Sequence, residues 1–202
     1  MTLLANHPQR SAIRERLRRN IVLRRLSTEA FEELEALLAI VDYKKGDVLL
    51  SQGAHEMEQY FVIDGILKRV VASPEGKEMI LRFAKEDDMD TSYAAWRLRT
   101  PAPYSIRAVT KAQVAKMPLP QWAQFLDRHT DLKEDFEYEV MFLMSEVMAH
   151  TITLHLLDAP GRVHRFVRKH SDLAERVPKK ELASYLNLSA ETLSRLKQSG
   201  KI

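Results

Sequence analysis

From Asp131 to Leu157 the chain runs for 27 residues without a proline or a glycine (DLKEDFEYEVMFLMSEVMAHTITLHLL). At ~1.5 Å per residue such a run makes a helical rod about 40 Å long. Phe136, Val140, Leu143, Val147, His150, Leu154 and Leu157 recur at alternating steps of four and three, the spacing of a coiled-coil seam. Met141, Met144, Met148 and Ile152 form a second apolar stripe beside it. A helix with two apolar stripes needs two partners. The natural pair is a small domain of its own chain and a second copy of the helix. The seam of Phe136, Val140, Leu143, Val147, His150 and Leu154 is therefore expected to form a homodimer interface through helix 131–157. The alternative is a long helix buried within one domain.

Upstream of the rod the patterning changes twice. Residues 8–25 (PQRSAIRERLRRNIVLRR) predict an Arg-rich helix with Ile13, Leu17 and Ile21 on one stripe, so residues 1–25 read as a basic N-terminal helical segment. Ser27-Thr28-Glu29 starts a second helix, FEELEALLAI. Between residues 42 and 118 short apolar runs alternate with turn residues. Asp64-Gly65 predicts one hairpin, and Pro74-Glu75-Gly76-Lys77 predicts another. Residues 26–130 thus read as a small antiparallel barrel or roll with short flanking helices. Asp158-Ala159-Pro160-Gly161 is a breaker cluster and the expected domain boundary. Three short helices are expected beyond it, at 161–170, 179–186 and 190–199. The expected fold class is α+β.

Composition narrows the function. The chain of 202 residues has no cysteine, which excludes disulfides, thiolate metal sites and thiol catalysis. No apolar run is long enough to cross a membrane. The opening MTLLANHPQR carries no secretory signal pattern, so the expected location is cytoplasmic. Charge is segregated. Residues 1–25 hold seven Arg against one acid, residues 26–157 hold 14 basic against 22 acidic residues, and residues 158–202 hold ten against five. Basic ends on an acidic body suit polyanion binding, because each neutralised phosphate releases counterions. The alternative is a merely solvated basic surface.

Residues 178–198 (PKKELASYLNLSAETLSRLKQ) carry the most specific local pattern. Pro178 suits the first turn of a helix. Leu182, Ala183 and Leu186 make its inner face. Asn187 falls where a left-handed residue is needed, and Ser189 is a good N-cap for the next helix. Ala190, Glu191, Ser194, Arg195 and Lys197 point outward. The pattern is a helix-turn-helix, or else an ordinary helical hairpin. Arg can pair with guanine O6 and N7, and Glu can accept from cytosine N4. Glu191 and Arg195, four apart, also suit a helix ion pair that would brace the arginine. Thr192 shares the recognition segment with them. Lys179, Lys180 and Lys197 suit phosphate contacts.

The order of parts resembles the cyclic-AMP receptor/fumarate–nitrate regulator superfamily of bacterial transcription factors. The stretches that carry the resemblance are YKKGDVLLSQG, YFVIDGILKRVV, EGKEMILRF and LASYLNLSAETLSR with the closing SGKI. The resemblance implies a cyclic-nucleotide-binding-like β-roll effector domain over 26–130. It further implies a dimerisation helix over 131–157 and a DNA-binding domain over 158–202. Glu191, Ser194 and Arg195 match the family's Glu-x-x-Ser-Arg pattern and by similarity would read bases in double-stranded DNA, with Ser189 and Thr192 beside them. Two departures stand out. The family's phosphate cassette has Gly-Glu and a later Arg. Here Thr91-Ser92 and Ala102-Pro103 occupy those places, so a cyclic nucleotide is not the expected ligand. The sequence also stops at Ser199-Gly200-Lys201-Ile202, where the family adds a hairpin wing; the wing is expected to be missing.

The expected function is a homodimeric, sequence-specific transcription regulator controlled by an unidentified small-molecule effector. The signal would pass through the hinge at 158–161. An effector pocket, if one persists, is expected between the roll and helix 131–157, lined by Phe83, Met89, Tyr93, Trp96 and Tyr104. The competing reading has these residues simply filling the core. No cofactor or metal is expected, and no phosphate loop or nucleophile motif argues for an enzyme. The alternative function is a small-molecule sensor or protein-interaction dimer with a degenerate DNA-binding domain.

Overall fold

The computed structural model describes residues 2–76 and 78–199. The expected turn residue Lys77 and the closing Gly200-Lys201-Ile202 lie outside the described residues, and with them the reading of the missing wing. Strand β1 (Thr2–Leu3) opens the chain, followed by helix α1 (Arg10–Leu17). The basic helix expected to reach residue 25 ends at Leu17 because Asn20 is buried. Its amide donates to Asp88 O at 2.9 Å, and its carbonyl accepts from the Val22 N–H at 3.1 Å. Helix α2 (Thr28–Glu35) is capped by Ser27, whose hydroxyl accepts from the Ala30 N–H at 3.1 Å. It stops short of the expected end. Ala39 and Ile40 instead belong to strand β2 (Ala39–Tyr43), held between β1 and a later strand.

The roll has two antiparallel sheets. Strands β3 (Val48–Leu50), β4 (Glu58–Asp64), β5 (Leu67–Ala72), β6 (Glu78–Ala84) and β7 (Met89–Thr91) are followed by the short helix α3 (Tyr93–Arg97). Strands β8 (Ser105–Ala108) and β9 (Ala112–Pro118) complete it. One sheet has the order β1-β2-β9-β4-β7 and the other β3-β8-β5-β6. The hairpin expected before Lys77 is present as the β5–β6 pair. The one expected at Asp64-Gly65 is absent: β4 and β5 lie in different sheets, and the chain turns a corner between them. Gly65, at φ +90°, is needed for another reason. A Cβ there would lie 2.3 Å from Lys111 O and 2.9 Å from the Ala112 methyl, because the corner passes directly over the turn between β8 and β9.

Helix α4 (Leu119–Arg128) leads into α5 (Thr130–Leu156). Trp122 of α4 meets Phe61 and Phe136 edge-on at 5.3 Å each, and Phe136 meets Tyr93 at 5.0 Å. This cluster anchors α5 on the roll, with Phe136 fully buried. Four helices follow, one more than expected: α6 (Ala159–Lys169), α7 (Ser171–Arg176), α8 (Lys179–Tyr185) and α9 (Ala190–Gln198). Six residues, the length of α7, are too few to display a helical period. These helices share one core with the roll, where Ile66, Val70, Ile80 and Phe83 pack with Val163, Phe166, Leu182 and Tyr185.

Two expectations about surfaces are overturned. The seam assigned to a dimer faces the chain's own domains. Phe136 and Leu143 are buried in the core, Val140 packs against it, and Val147 and His150 turn toward the C-terminal helices. Leu154 is half-buried. The outward stripe is Tyr138, Met141, Met144, Met148, Ile152 and Leu156, with Met148 65% exposed. Spacing identified both stripes; only tertiary packing decides which one the roll covers. Second, six of the seven N-terminal arginines are engaged within the chain. Arg10 and Arg14 pair with the buried Glu35, Arg16 with Asp64, Arg19 with Asp87 and Arg25 with Asp135, while Arg18 donates to Leu26 O.

Gly46 (φ +92°) has open space around its Cβ position, so Gly46→Ala meets only backbone strain and is expected to cost about 1 kcal/mol. Gly65→Ala adds the clash with Lys111 and Ala112 and is expected to cost about 3 kcal/mol. Urea midpoints of the two variants check the ranking; equal losses would contradict the close approach.

Candidate nucleic-acid interface

Helix α8 begins at Pro178, which sets the φ of its entry and leaves no N–H unpaired there. Leu182, Ala183 and Leu186 turn inward and are buried. The helix ends in Asn187, whose φ of +52° reverses the chain; Leu188 N–H returns to Ala183 O at 2.8 Å. Ser189 then caps α9, its hydroxyl accepting from the Thr192 N–H at 3.0 Å and lying 3.1 Å from Thr192 Oγ1. Leu193 and Leu196 anchor α9 from beneath.

What remains outside is polar. Glu191, Arg195, Lys197, Lys179 and Lys180 are exposed, while Ser194 and Thr192 are half-buried. The Glu191 carboxyl is held below its ordinary pKa by its own backbone N–H and by Ser189, so it is an acceptor at neutral pH. The expected Glu191–Arg195 brace is not formed. Among the described residues, Arg195, Lys179, Lys180 and Lys197 take part in no ion pair. Each has a charge ready for an external anion, in contrast to the N-terminal arginines.

The residues expected to line an effector pocket are divided by the structure. Met89, Tyr93 and Tyr104 are buried in the roll core with Trp96 packed against it, and Phe83 belongs to the core shared with the C-terminal helices. Tyr93 and Trp96 face each other at 5.7 Å, and the Tyr104 hydroxyl donates to Thr91 O at 2.6 Å. Sequence reasoning missed Arg69. Its guanidinium is buried beside Thr91, donating to Asp90 at 2.7 Å and to Thr91 O at 3.1 Å, with the Tyr104 ring 4.7 Å away. Nothing local marks Arg69, which sits in an otherwise ordinary strand.

Residues 40–129 match the family described as Cyclic nucleotide-binding domain. The chain is 24% identical over 190 residues to the nitrogen fixation regulation protein FixK of Bradyrhizobium diazoefficiens, covering 89% of this chain and 78% of that protein. It is 20% identical over 164 residues to the cAMP-activated global transcriptional regulator CRP of Salmonella typhimurium, covering 76% and 78%. The chain is thus similar, over most of its length, to two bacterial transcription regulators, and its roll is similar to the cyclic nucleotide-binding domain. Within the same fold, the global regulator CLP of Xanthomonas campestris, described as c-di-GMP responsive, superposes with a TM-score of 0.72 at 16% identity over 86% of this chain and 92% of that one. No helix among the described residues is long and apolar enough to cross a membrane.

His150 joins α5 to the helix-turn-helix. Its ring stacks on Tyr185 of α8 at 3.8 Å and 5°. Burial, opposed by a backbone hydrogen bond at Tyr185 and aided by the neighbouring His170, Lys169 and Arg162, lowers its pKa from 6.5 to about 4. The folded state therefore holds it neutral where the unfolded chain protonates. Stability is full above pH ~6.5 and is lost as the pH falls toward about 4. His150→Phe keeps the stack and removes the titration. Its unfolding midpoint is expected to fall less than that of the wild type between pH 7 and pH 4.5; parallel curves would contradict the assignment.

Proposed function

We propose that the chain is a homodimeric, sequence-specific DNA-binding transcription regulator, and not an enzyme. The observation that carries this reading is the face of α9. It presents Glu191 and Arg195 without an ion pair among the described residues, beside Ser194, with Lys179, Lys180 and Lys197 around them. Arg195 and Glu191 lie in the first two turns of a capped helix, the part that reaches base edges in a major groove. Arg195 would take guanine O6 and N7 as a forked pair, and Glu191 would accept from cytosine N4. The lysines would meet phosphates, setting register without sequence preference.

A second copy is proposed to pack on the outward stripe of α5. Tyr138, Met141, Met144, Met148, Ile152 and Leu156 recur at steps of three or four over a rod, and an exposed apolar band of that kind marks an interaction surface. The resulting dimer would set two recognition helices about 34 Å apart on a near-palindromic site.

The effector is proposed not to be a cyclic nucleotide. The place of the family's phosphate arginine is taken by the buried Ala102. The buried guanidinium of the roll, Arg69, already has Asp90 and Thr91 O as partners. Opening that pair to admit a phosphate would take the shortest ion pair from the buried Asp90 and leave it only Arg82 at 3.4 Å and the Thr91 N–H, which is costly for a buried charge.

The test is selection from a randomised duplex pool by the purified protein, followed by a salt titration on the recovered duplexes. A two-fold symmetric site with half-sites one helical turn apart is expected. Arg195→Ala should weaken binding about 10- to 100-fold and relax one position of each half-site. Lys179→Ala should weaken binding to all sequences alike and reduce the salt slope by about one. Sequence-blind binding that Arg195→Ala leaves unchanged would refute the reading.

A further inference from the structure

Between β6, α5 and the C-terminal helices lies a cleft of about 200 Å³. It is separate from the roll interior, and all three parts of the molecule line it. Phe83 comes from β6, His150 from α5, Arg162 and Arg165 from α6, and Tyr185 from α8.

The charges around this cleft do not balance. Its two carboxylates are already engaged: Asp88 with Arg82 at 3.4 Å, and Glu146 with Lys169. Lys85, also on the wall, pairs outward with Asp172. Two cations are left over. Among the described residues, Arg162 bonds only to carbonyls, those of Leu154, Leu157 and Leu186 at 2.8, 2.9 and 3.2 Å. Arg165 has no hydrogen-bond or ion-pair partner among the described residues. His150 also lines the cleft, and its Nε2 is buried without a hydrogen-bond partner among the described residues. A buried ring nitrogen with no partner costs about 1–3 kcal/mol and is the kind of group a ligand or ordered water satisfies. Phe83 and Phe166 supply apolar surface alongside it.

We propose that this cleft binds a small organic anion, a compact ring bearing one phosphate or carboxylate. Its acid group would meet Arg165 and Arg162, a polar atom would reach His150 Nε2, and its ring would lie against Phe83. The volume is below the roughly 300–1,000 Å³ typical of drug-sized ligand pockets, which limits the occupant to a compact molecule. The regulatory consequence rests on the function proposed above. A ligand touching β6, α5, α6 and α8 together favours one seating of the helix-turn-helix, and so shifts DNA affinity by its preference for that seating. Binding itself does not depend on that reading.

Phenyl phosphate is the probe, titrated calorimetrically into the full chain, with inorganic phosphate and phenol as the separated halves. One saturable site per chain is expected, with each half binding at least about tenfold more weakly. Arg165 is exposed, so Arg165→Gln should fold normally, and it is expected to weaken the probe at least about tenfold. Arg25→Gln, a distant change of the same charge, should bind as the wild type does. No saturation at millimolar probe, equal affinity in Arg165→Gln, or equal binding of inorganic phosphate would each overturn the assignment. DNA selection without probe on the same preparation reads the regulator function separately, so the two failures are distinguishable.

Discussion

The structure depends on how one helix divides its apolar surface. Helix α5 has more apolar side chains than the roll can cover. Phe136, Val140 and Leu143 go to the roll, Val147 and His150 go to the C-terminal helices, and the methionine stripe is left outside. Fully burying a side chain of this size contributes about 1.5–3 kcal/mol. The inward face therefore fixes the roll and the helix-turn-helix on one rod. The outward face is an unpartnered band that a second rod of the same sequence can match.

The C-terminal helices lack an independent core. Val163, Phe166, Leu182 and Tyr185 close over Ile66, Val70, Ile80 and Phe83 of the roll. Ion pairs cross the same boundary: Lys68 with Glu181 at 2.7 Å, Arg176 with Glu86 at 2.6 Å, and Lys85 with Asp172. The two exposed pairs contribute at most about 1 kcal/mol each, and Lys68–Glu181 is largely shielded from solvent, so the apolar contact holds the seating and the charges orient it. A ligand bound in the adjoining cleft, as proposed, would act on that one contact. On the proposed function, this would give α9 a physical route to control.

Much of this was legible in the residues. The helix-turn-helix announced itself because its signals are local: Pro178, the left-handed Asn187 and the Ser189 cap each act within a few residues. The long helix was legible from the absence of breakers. What failed was tertiary. The heptad spacing of Phe136 to Leu154 says that a stripe is buried, but not against which neighbour. Asp64-Gly65 fits a hairpin by type, yet its positive φ serves a corner between sheets. The N-terminal arginines look like a polyanion patch until Glu35, Asp64, Asp87 and Asp135 are brought beside them. Arg69 and its partner Asp90, 21 residues apart, meet only through the sheets.

The division of α5 can be read directly, because the chain has no cysteine of its own. Single variants Met148→Cys and Leu143→Cys place one thiol on the outward stripe and one on the inward seam. Under mild oxidation, Met148→Cys is expected to form a disulfide-linked dimer rapidly and in high yield, while Leu143→Cys stays monomeric on a denaturing gel. Cross-linking through position 143 and none through 148 would contradict the account, since the helix would then have to present its other face to the second copy.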